Sequence, residues 1–142
     1  MKDFTEWHLF KSRIENEYGS PAFQEEEIWW CALGVNIGVE RDGKNNLFER
    51  PVLIFRKFNK DMFWGLPMSS KQKLGNYNHL FSYRGRLRSL SLSQIRTLSS
   101  KRLIRRIGKV GKNDFQKIED AFFAFAKNNN GPLARSSGAE WQ

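Results

Sequence analysis

Five short runs of β-branched and aromatic residues follow one another through the middle of this chain, each bounded by turn residues. They are EIWWCAL (27–33), PVLIFRKF (51–58), DMFWGLPM (61–68), NHLFSYRG (78–85) and LRSLSLSQ (87–94). Runs of this length and composition are strands, and the alternation in SLSLSQ is that of a strand with one buried face. Asn59–Lys60 joins the second run to the third as a tight hairpin. KRLIRRIGKV (101–110) reads as a turn of helix followed by one more short strand.

Helical periodicity stands at either end. Phe4, Trp7, Phe10, Ile14 and Tyr18 recur at intervals of three and four, which predicts an amphipathic helix over 3–18, ended by Gly19, Ser20 and Pro21. Phe115, Ile118, Phe122 and Phe125 form a second stripe, with Asn113 as its expected N-cap and Gln116 completing a capping box. The Asn128-Asn129-Asn130-Gly131-Pro132 run stops that helix. The expected fold is therefore α+β and mainly β: an SH3-like small antiparallel β-barrel with an extra N-terminal helix and a C-terminal helix packed outside it. The expected organisation is an N-terminal helical extension (1–20), the barrel domain (21–127) and a flexible tail (128–142). The first helix either packs on the barrel or extends a dimer contact. Gly34 to Arg50 is too long for a simple hairpin, so that segment is either functional or disordered.

At 142 residues the chain suits a single core. Its single cysteine excludes an internal disulfide and a thiolate zinc site, and it fits a reducing compartment. With no apolar run of about 18 residues and no apolar leader in MKDFTEWHLF, the expectation is a soluble cytoplasmic protein without a membrane contact. The formal charge of +9 is concentrated: residues 50–112 hold 16 Lys/Arg and one acid, Asp61. Ordinary solvated faces intersperse both signs. So one-sided a block points to a polyanion, and nucleic acid is preferred over a merely soluble face.

Within this layout, Glu27-Ile28-Trp29-Trp30 is followed by Gly38-Val39-Glu40, then Arg50-Pro51-Val52-Leu53-Ile54 and Pro67-Met68-Ser69-Ser70-Lys71. Leu92-Ser93-Gln94-Ile95-Arg96-Thr97 and Lys101-Arg102-Leu103 come next, ahead of the last helix. Taken in this order across roughly 26–126, these pieces resemble the PemK/MazF family of toxins from bacterial toxin–antitoxin systems, which are mRNA-cleaving endoribonucleases. The resemblance implies an SH3-like barrel homodimer, single-stranded RNA as substrate and a cognate acidic antitoxin whose flexible segment covers the groove. It implies no cofactor and no metal. The chain departs from the usual pattern with Ser69 in place of Thr, Ser93 in place of an acid, and a longer loop between Glu40 and Arg50.

Cleavage by an RNA's own 2′-hydroxyl asks the protein to accept a proton, stabilise a phosphorane dianion and help the 5′-oxygen leave. Arg50 suits the second task, since its guanidinium is permanently charged and grips two phosphoryl oxygens at once. Pro51 fixes the backbone beside it, and the resemblance places the family's catalytic Arg here. The alternative is a surface arginine at a strand end. Ser69 could hydrogen-bond a phosphate oxygen, the role that the resemblance gives the family's Thr, or it could serve as a turn serine bonding its own backbone. Glu40 matches the family's loop acid, either as the base for the 2′-OH or as a group that positions Arg50. Lys71, Lys73, Arg84, Arg86, Arg88 and Arg96 form the expected phosphate track, with Ser70 and Gln94 beside them.

Other residues suit the chemistry less well. His8 and His79 are too scattered for a two-histidine ribonuclease. Glu25-Glu26-Glu27 reads as a solvated strand entrance rather than a metal site. Cys31 reads as core. Most of Trp29, Trp30, Trp64 and Phe48 should be core, with any exposed one free to stack a base. The rival to a nuclease is a non-catalytic protein: a nucleic-acid-binding module, or a gyrase-inhibiting barrel of the CcdB-like kind.

Overall fold

The computed structural model describes residues 2–71 and 75–127. Lys73, one of the expected RNA contacts, and the tail from 128 onward lie outside the described residues. Seven strands run in chain order: β1 (Glu27–Ala32), β2 (Glu49–Lys57), β3 (Met62–Ser69), β4 (Asn78–Tyr83), β5 (Arg86–Ser91), β6 (Arg96–Ser99) and β7 (Leu103–Lys109). Helix α1 (Phe4–Glu17) precedes them and α2 (Lys112–Ala126) follows. All pairings are antiparallel, in the order β4-β5-β3-β2-β1-β7, with β6 attached to β3.

The bend in this sheet comes from β3. One edge of it pairs with β2 throughout. The other edge pairs with β6 through Met62–Gly65 and then with β5 through Met68 and Ser69. The change of partner falls at Leu66–Pro67, where Pro67 has no N–H to offer a ladder. The expected class, mainly antiparallel β with two helices, is what the chain adopts, but the ring is open. Among the described residues no ladder joins β4 to β7. Two side chains cross the gap: Arg84 Nη2 donates to the Ile107 carbonyl at 2.9 Å. The Tyr83 ring lies over Gly108, where a Cβ would meet its hydroxyl at 2.0 Å.

β2 explains why PVLIF is a continuous apolar run. Leu53 and Phe55 join Ile28, Leu66, Leu90, Phe115 and Ile118 in one core cluster. Val52 and Ile54 join Phe23, Trp29, Cys31, Phe63, Leu98 and Leu103 in another. A strand buried on both faces loses the polar half of the alternation. Burial pushes the Cys31 thiol up to about 12, with Arg102 and Arg96 opposing the shift, so the group stays protonated as an inert core residue.

Helix α1 starts where expected, with the Asp3 carboxylate accepting the Glu6 N–H. It buries Trp7, Phe10 and Ile14 against Ala32, flanked by Val35, Leu47, Phe48 and Ile104. At about 1.5–3 kcal/mol for each large side chain, this face is enough to seat the helix on the barrel.

Three local expectations give way. The N-cap of α2 is Gly111 rather than Asn113, because the Gly111 carbonyl already accepts the Phe115 N–H at 2.9 Å. Gln116 reaches forward to Asp120 instead of back to a cap. The end of the fifth run, Leu92–Gln94, is a 3-10 turn, and β6 follows it unforeseen because only Leu98 of its four residues is buried. Glu25 and Glu27 are half-buried staples rather than a solvated entrance. Glu25 accepts the Lys57 N–H at 2.7 Å. Glu27 takes bonds from the Gln24 amide, the Trp29 indole and Arg106. Burial alone would raise the Glu27 pKa, but these bonds outweigh it and the net shift is downward.

His79 is half-buried on β4, facing Asp114 and Lys117 of α2. Burial lowers its pKa, Asp114 opposes the shift and Lys117 adds to it. Because the folded chain resists the proton, the unfolded chain takes it up first as pH falls through the ordinary value of 6.5. The thermal midpoint should therefore drop between about pH 7.5 and about pH 5.5, and His79→Gln should flatten that part of the curve. An unchanged slope in the variant would assign the titration elsewhere.

Candidate active site

Arg50 and Ser69 are brought together by the strand register. β2 and β3 pair Val52 with Pro67, and continuing the antiparallel register two residues places Arg50 opposite Ser69. Both line a cleft of about 390 Å³ together with Trp30, Glu49, Ser70, Lys71, Tyr83, Arg84 and Arg88. Lys44 also lines it, so five cationic side chains face a single acid. That acid, Glu49, is buried and already engaged by Arg105 at 3.0 and 3.4 Å, and Arg105 in turn lies over the Trp30 ring. What remains is a concave, strongly positive seat suited to a phosphodiester.

The guanidinium of Arg50 is half-buried. Its Nε donates to the Asp42 carbonyl at 2.7 Å, and among the described residues its two terminal nitrogens have no protein partner. Burial lowers its pKa, Arg41 adds to the shift and Asp42 opposes it. An arginine so placed remains cationic and keeps its outer fork available for two oxygens. The Ser69 hydroxyl accepts the Lys71 N–H at 3.1 Å, the turn-serine alternative, and its own hydrogen is left to donate into the cleft. Ser89 Oγ donates to the Lys71 carbonyl at 2.8 Å and pins the chain where it leaves β3.

Arg84 sits in the two-residue β4–β5 turn, where Arg84 and Gly85 both have positive φ (52° and 77°). Its guanidinium stacks on Tyr83 and reaches Ile107, so it walls the cleft. Arg88 lines the floor, with its Nε buried and unpartnered among the described residues.

Not every expected residue converges here. Glu40, Gln94 and Arg96 line a separate hollow of about 270 Å³ with Asn36, Ser93 and Ile95. Glu40 Oε1 accepts the Ile37 N–H at 3.0 Å, closing a turn of the loop. The Gln94 amide clasps the same loop from both sides, accepting from Arg41 N–H and donating to the Val39 carbonyl. Arg86 is exposed at the far end of the β4–β5 turn. A larger hollow, about 470 Å³, lies between α1 and residues 99–102 and includes none of these groups. Of the four aromatics set apart in the sequence, Trp29 is buried, Phe48 packs under α1, Trp64 is partly exposed on β3, and Trp30 reaches the cleft, where it is joined by Tyr83.

A family model described as PemK-like, MazF-like toxin of type II toxin-antitoxin systems matches residues 24–125. The chain belongs to this family. Solved structures agree on the fold. An endoribonuclease in complex with its cognate antitoxin, from a mycobacterial species, aligns with a TM-score of 0.58 at 16% identity, over 78% of this chain and 100% of that one. MazF from Deinococcus radiodurans aligns with a TM-score of 0.61 at 12% identity, over 75% and 98%. Another mycobacterial endoribonuclease gives 0.54 at 15%, over 82% and 100%. No curated protein sequence matches the chain significantly.

Several residues that line or support the toxin's cleft carry no signal in the sequence. Glu49 reads as one more acid of the first third until Arg105, 56 positions away, is brought to it. Asp42 contributes its carbonyl to Arg50, a role that no side-chain pattern announces. Tyr83 enters through a turn and a glycine on different strands.

Proposed function

We propose that this toxin is an endoribonuclease that cuts single-stranded RNA by attack of the 2′-hydroxyl on the adjacent phosphorus, without a metal ion. The observation that carries this reading is the open guanidinium fork of Arg50 beside the Ser69 hydroxyl in a cleft of cations. The phosphate sits against Arg50, which stabilises the two developing negative charges, while Ser69 donates to one phosphoryl oxygen. The 2′-oxygen gives its proton to solvent and bonds to phosphorus as the bond to the 5′-oxygen breaks, and that oxygen takes a proton from solvent, leaving a 2′,3′-cyclic phosphate and a 5′-hydroxyl. Ser70, Lys71, Arg84 and Arg88 hold the flanking phosphates, and Trp30 offers a face for a base. The bond from Glu40 to Ile37 favours its role in shaping the loop over that of a base.

RNA cleavage is the activity named for two of the structural neighbours, and one of them is held by its cognate antitoxin. By the same reading this chain works in the cytoplasm as a homodimer, selects among RNA sequences, and is neutralised by an acidic antitoxin complementary to the cationic cleft. Among the described residues no helix is long and apolar enough to cross a membrane.

The test is incubation with a mixed single-stranded RNA in EDTA. Discrete fragments ending in cyclic phosphate are expected. Salt-sensitive binding without fragments would instead support a non-catalytic binding protein.

A further inference from the structure

Helix α1 lies before residues 24–125, the part that the family model matches, so it is an addition to the shared core. Together with Lys2, which leads into it, the helix is joined to the catalytic cleft by two separate routes. In the first, Lys2 Nζ donates to the carbonyls of Asn36 and Gly38 and pairs with Asp42 Oδ2 at 3.2 Å. The other carboxylate oxygen of Asp42 accepts the Asn36 N–H at 2.6 Å, and the Asp42 carbonyl holds Arg50 Nε. One residue thus links the start of the chain to the guanidinium.

The second route is aromatic. Trp7 and Phe10 flank the Phe48 ring at 5.4 and 6.2 Å between centroids. Phe48 has φ +51°, which a bulky residue adopts only where its surroundings enforce it. In that conformation its carbonyl accepts the N–H groups of both Leu33 and Gly34. Gly34, itself at φ +79°, lies so close beneath Trp7 that a Cβ would fall 2.0 Å from the indole. Arg50 is two residues beyond Phe48. Without α1 the Phe48 ring would lose Trp7 and Phe10, and its strained backbone would be left to the hydrogen bonds of the segment alone.

We propose that Lys2, Trp7 and Phe10 are positioning residues for Arg50: α1 is a strap that fixes Asp42 and Phe48 and, through them, the guanidinium. This rests on the nuclease reading, since positioning matters in proportion to what the placed group does. A catalytic group displaced by about 1 Å loses about 10²-fold in rate.

The full chain is tested as Trp7→Ala, Lys2→Met and Lys2→Arg, with kcat and KM measured on single-stranded RNA. Native-state hydrogen exchange is followed at the amides of Leu33, Gly34 and Gly43. Trp7→Ala is expected to lower kcat by about 10²-fold with KM little changed. Lys2→Met should lower kcat less, and Lys2→Arg should restore it. Exchange should quicken at the three loop amides while Leu53 and Leu66 stay protected. Wild-type kcat in both Trp7→Ala and Lys2→Met would overturn the proposal, and so would unchanged loop exchange. If Trp7→Ala loosens β2 and β3 as well, the helix serves the fold in general, and the variants of Lys2, which lies outside the helix core, decide. A wild-type protein that cuts no RNA overturns the nuclease reading, while the exchange measurement still reports whether the strap holds the loop.

Discussion

Arg50→Ala is expected to lower cleavage of single-stranded RNA by about 10³-fold, the scale set by removing a preorganised donor from a developing oxyanion. The fold should survive. Arg50 stands at the mouth of β2, its side chain makes one protein hydrogen bond among the described residues, and that bond is worth about 1 kcal/mol. Arg50→Lys should recover little, because an ammonium supplies charge but not the planar fork. The measurement is a single-turnover rate with each variant, alongside a thermal melt to confirm an intact barrel. Cleavage by Arg50→Ala at the wild-type rate would move the chemistry to another part of the cleft.

Gly43→Ala should be the most damaging small substitution. A Cβ at this position would lie 1.6 Å from the Phe48 carbonyl oxygen, 2.1 Å from its carbon and 2.7 Å from the Glu49 nitrogen. These are backbone atoms and cannot rotate aside. Lys44 and Glu49 exchange both backbone hydrogen bonds just beyond, so the clash falls inside a closed loop whose far end is Arg50. Overpacking of this kind costs about 1–3 kcal/mol, and the displaced backbone should lower cleavage by about 10²-fold. Undiminished cleavage with lowered stability would show that the loop can shift without moving Arg50. The effect reaches Arg50 through the loop itself rather than through α1, so the two routes can be compared in one assay.

What could be read from the chain follows from how local each feature is. The α1 stripe is set by residues three and four apart, and Trp7, Phe10 and Ile14 are indeed its buried face. The continuous run PVLIF marked the central strand, and Arg50-Pro51 at its start marked the candidate phosphate ligand. β6 escaped notice because its polar residues are held by a neighbour, as in the bond from the Trp64 indole to Thr97. Its strand character belongs to β3 as much as to itself. Motif position points to Glu40 and Gln94 as site residues, and the structure gives both a place in the loop's internal bonding. That assignment depends on backbone groups, Ile37 N–H and Val39 C=O, which have no signature in a sequence. The Glu49–Arg105 pair and the reach of Lys2 to Asp42 join parts of the chain that only the fold brings near.

A ring closed by ladders on every side resists being sprung open; this one is a split ring. Among the described residues its ends, β4 and β7, are bridged by one arginine and one tyrosine rather than by a row of backbone bonds. Tyr83, Arg84 and Ile107, which bridge the split, are also walls of the cationic cleft. The width of the cleft is thus governed at its most compliant edge, where separating the walls means giving up a few side-chain contacts. Its opposite wall, Arg50 and Ser69, is anchored in β2 and β3, the paired strands at the centre of the sheet. On the proposed reading such a vice has one fixed jaw for the chemistry and one sprung jaw to accommodate an RNA strand.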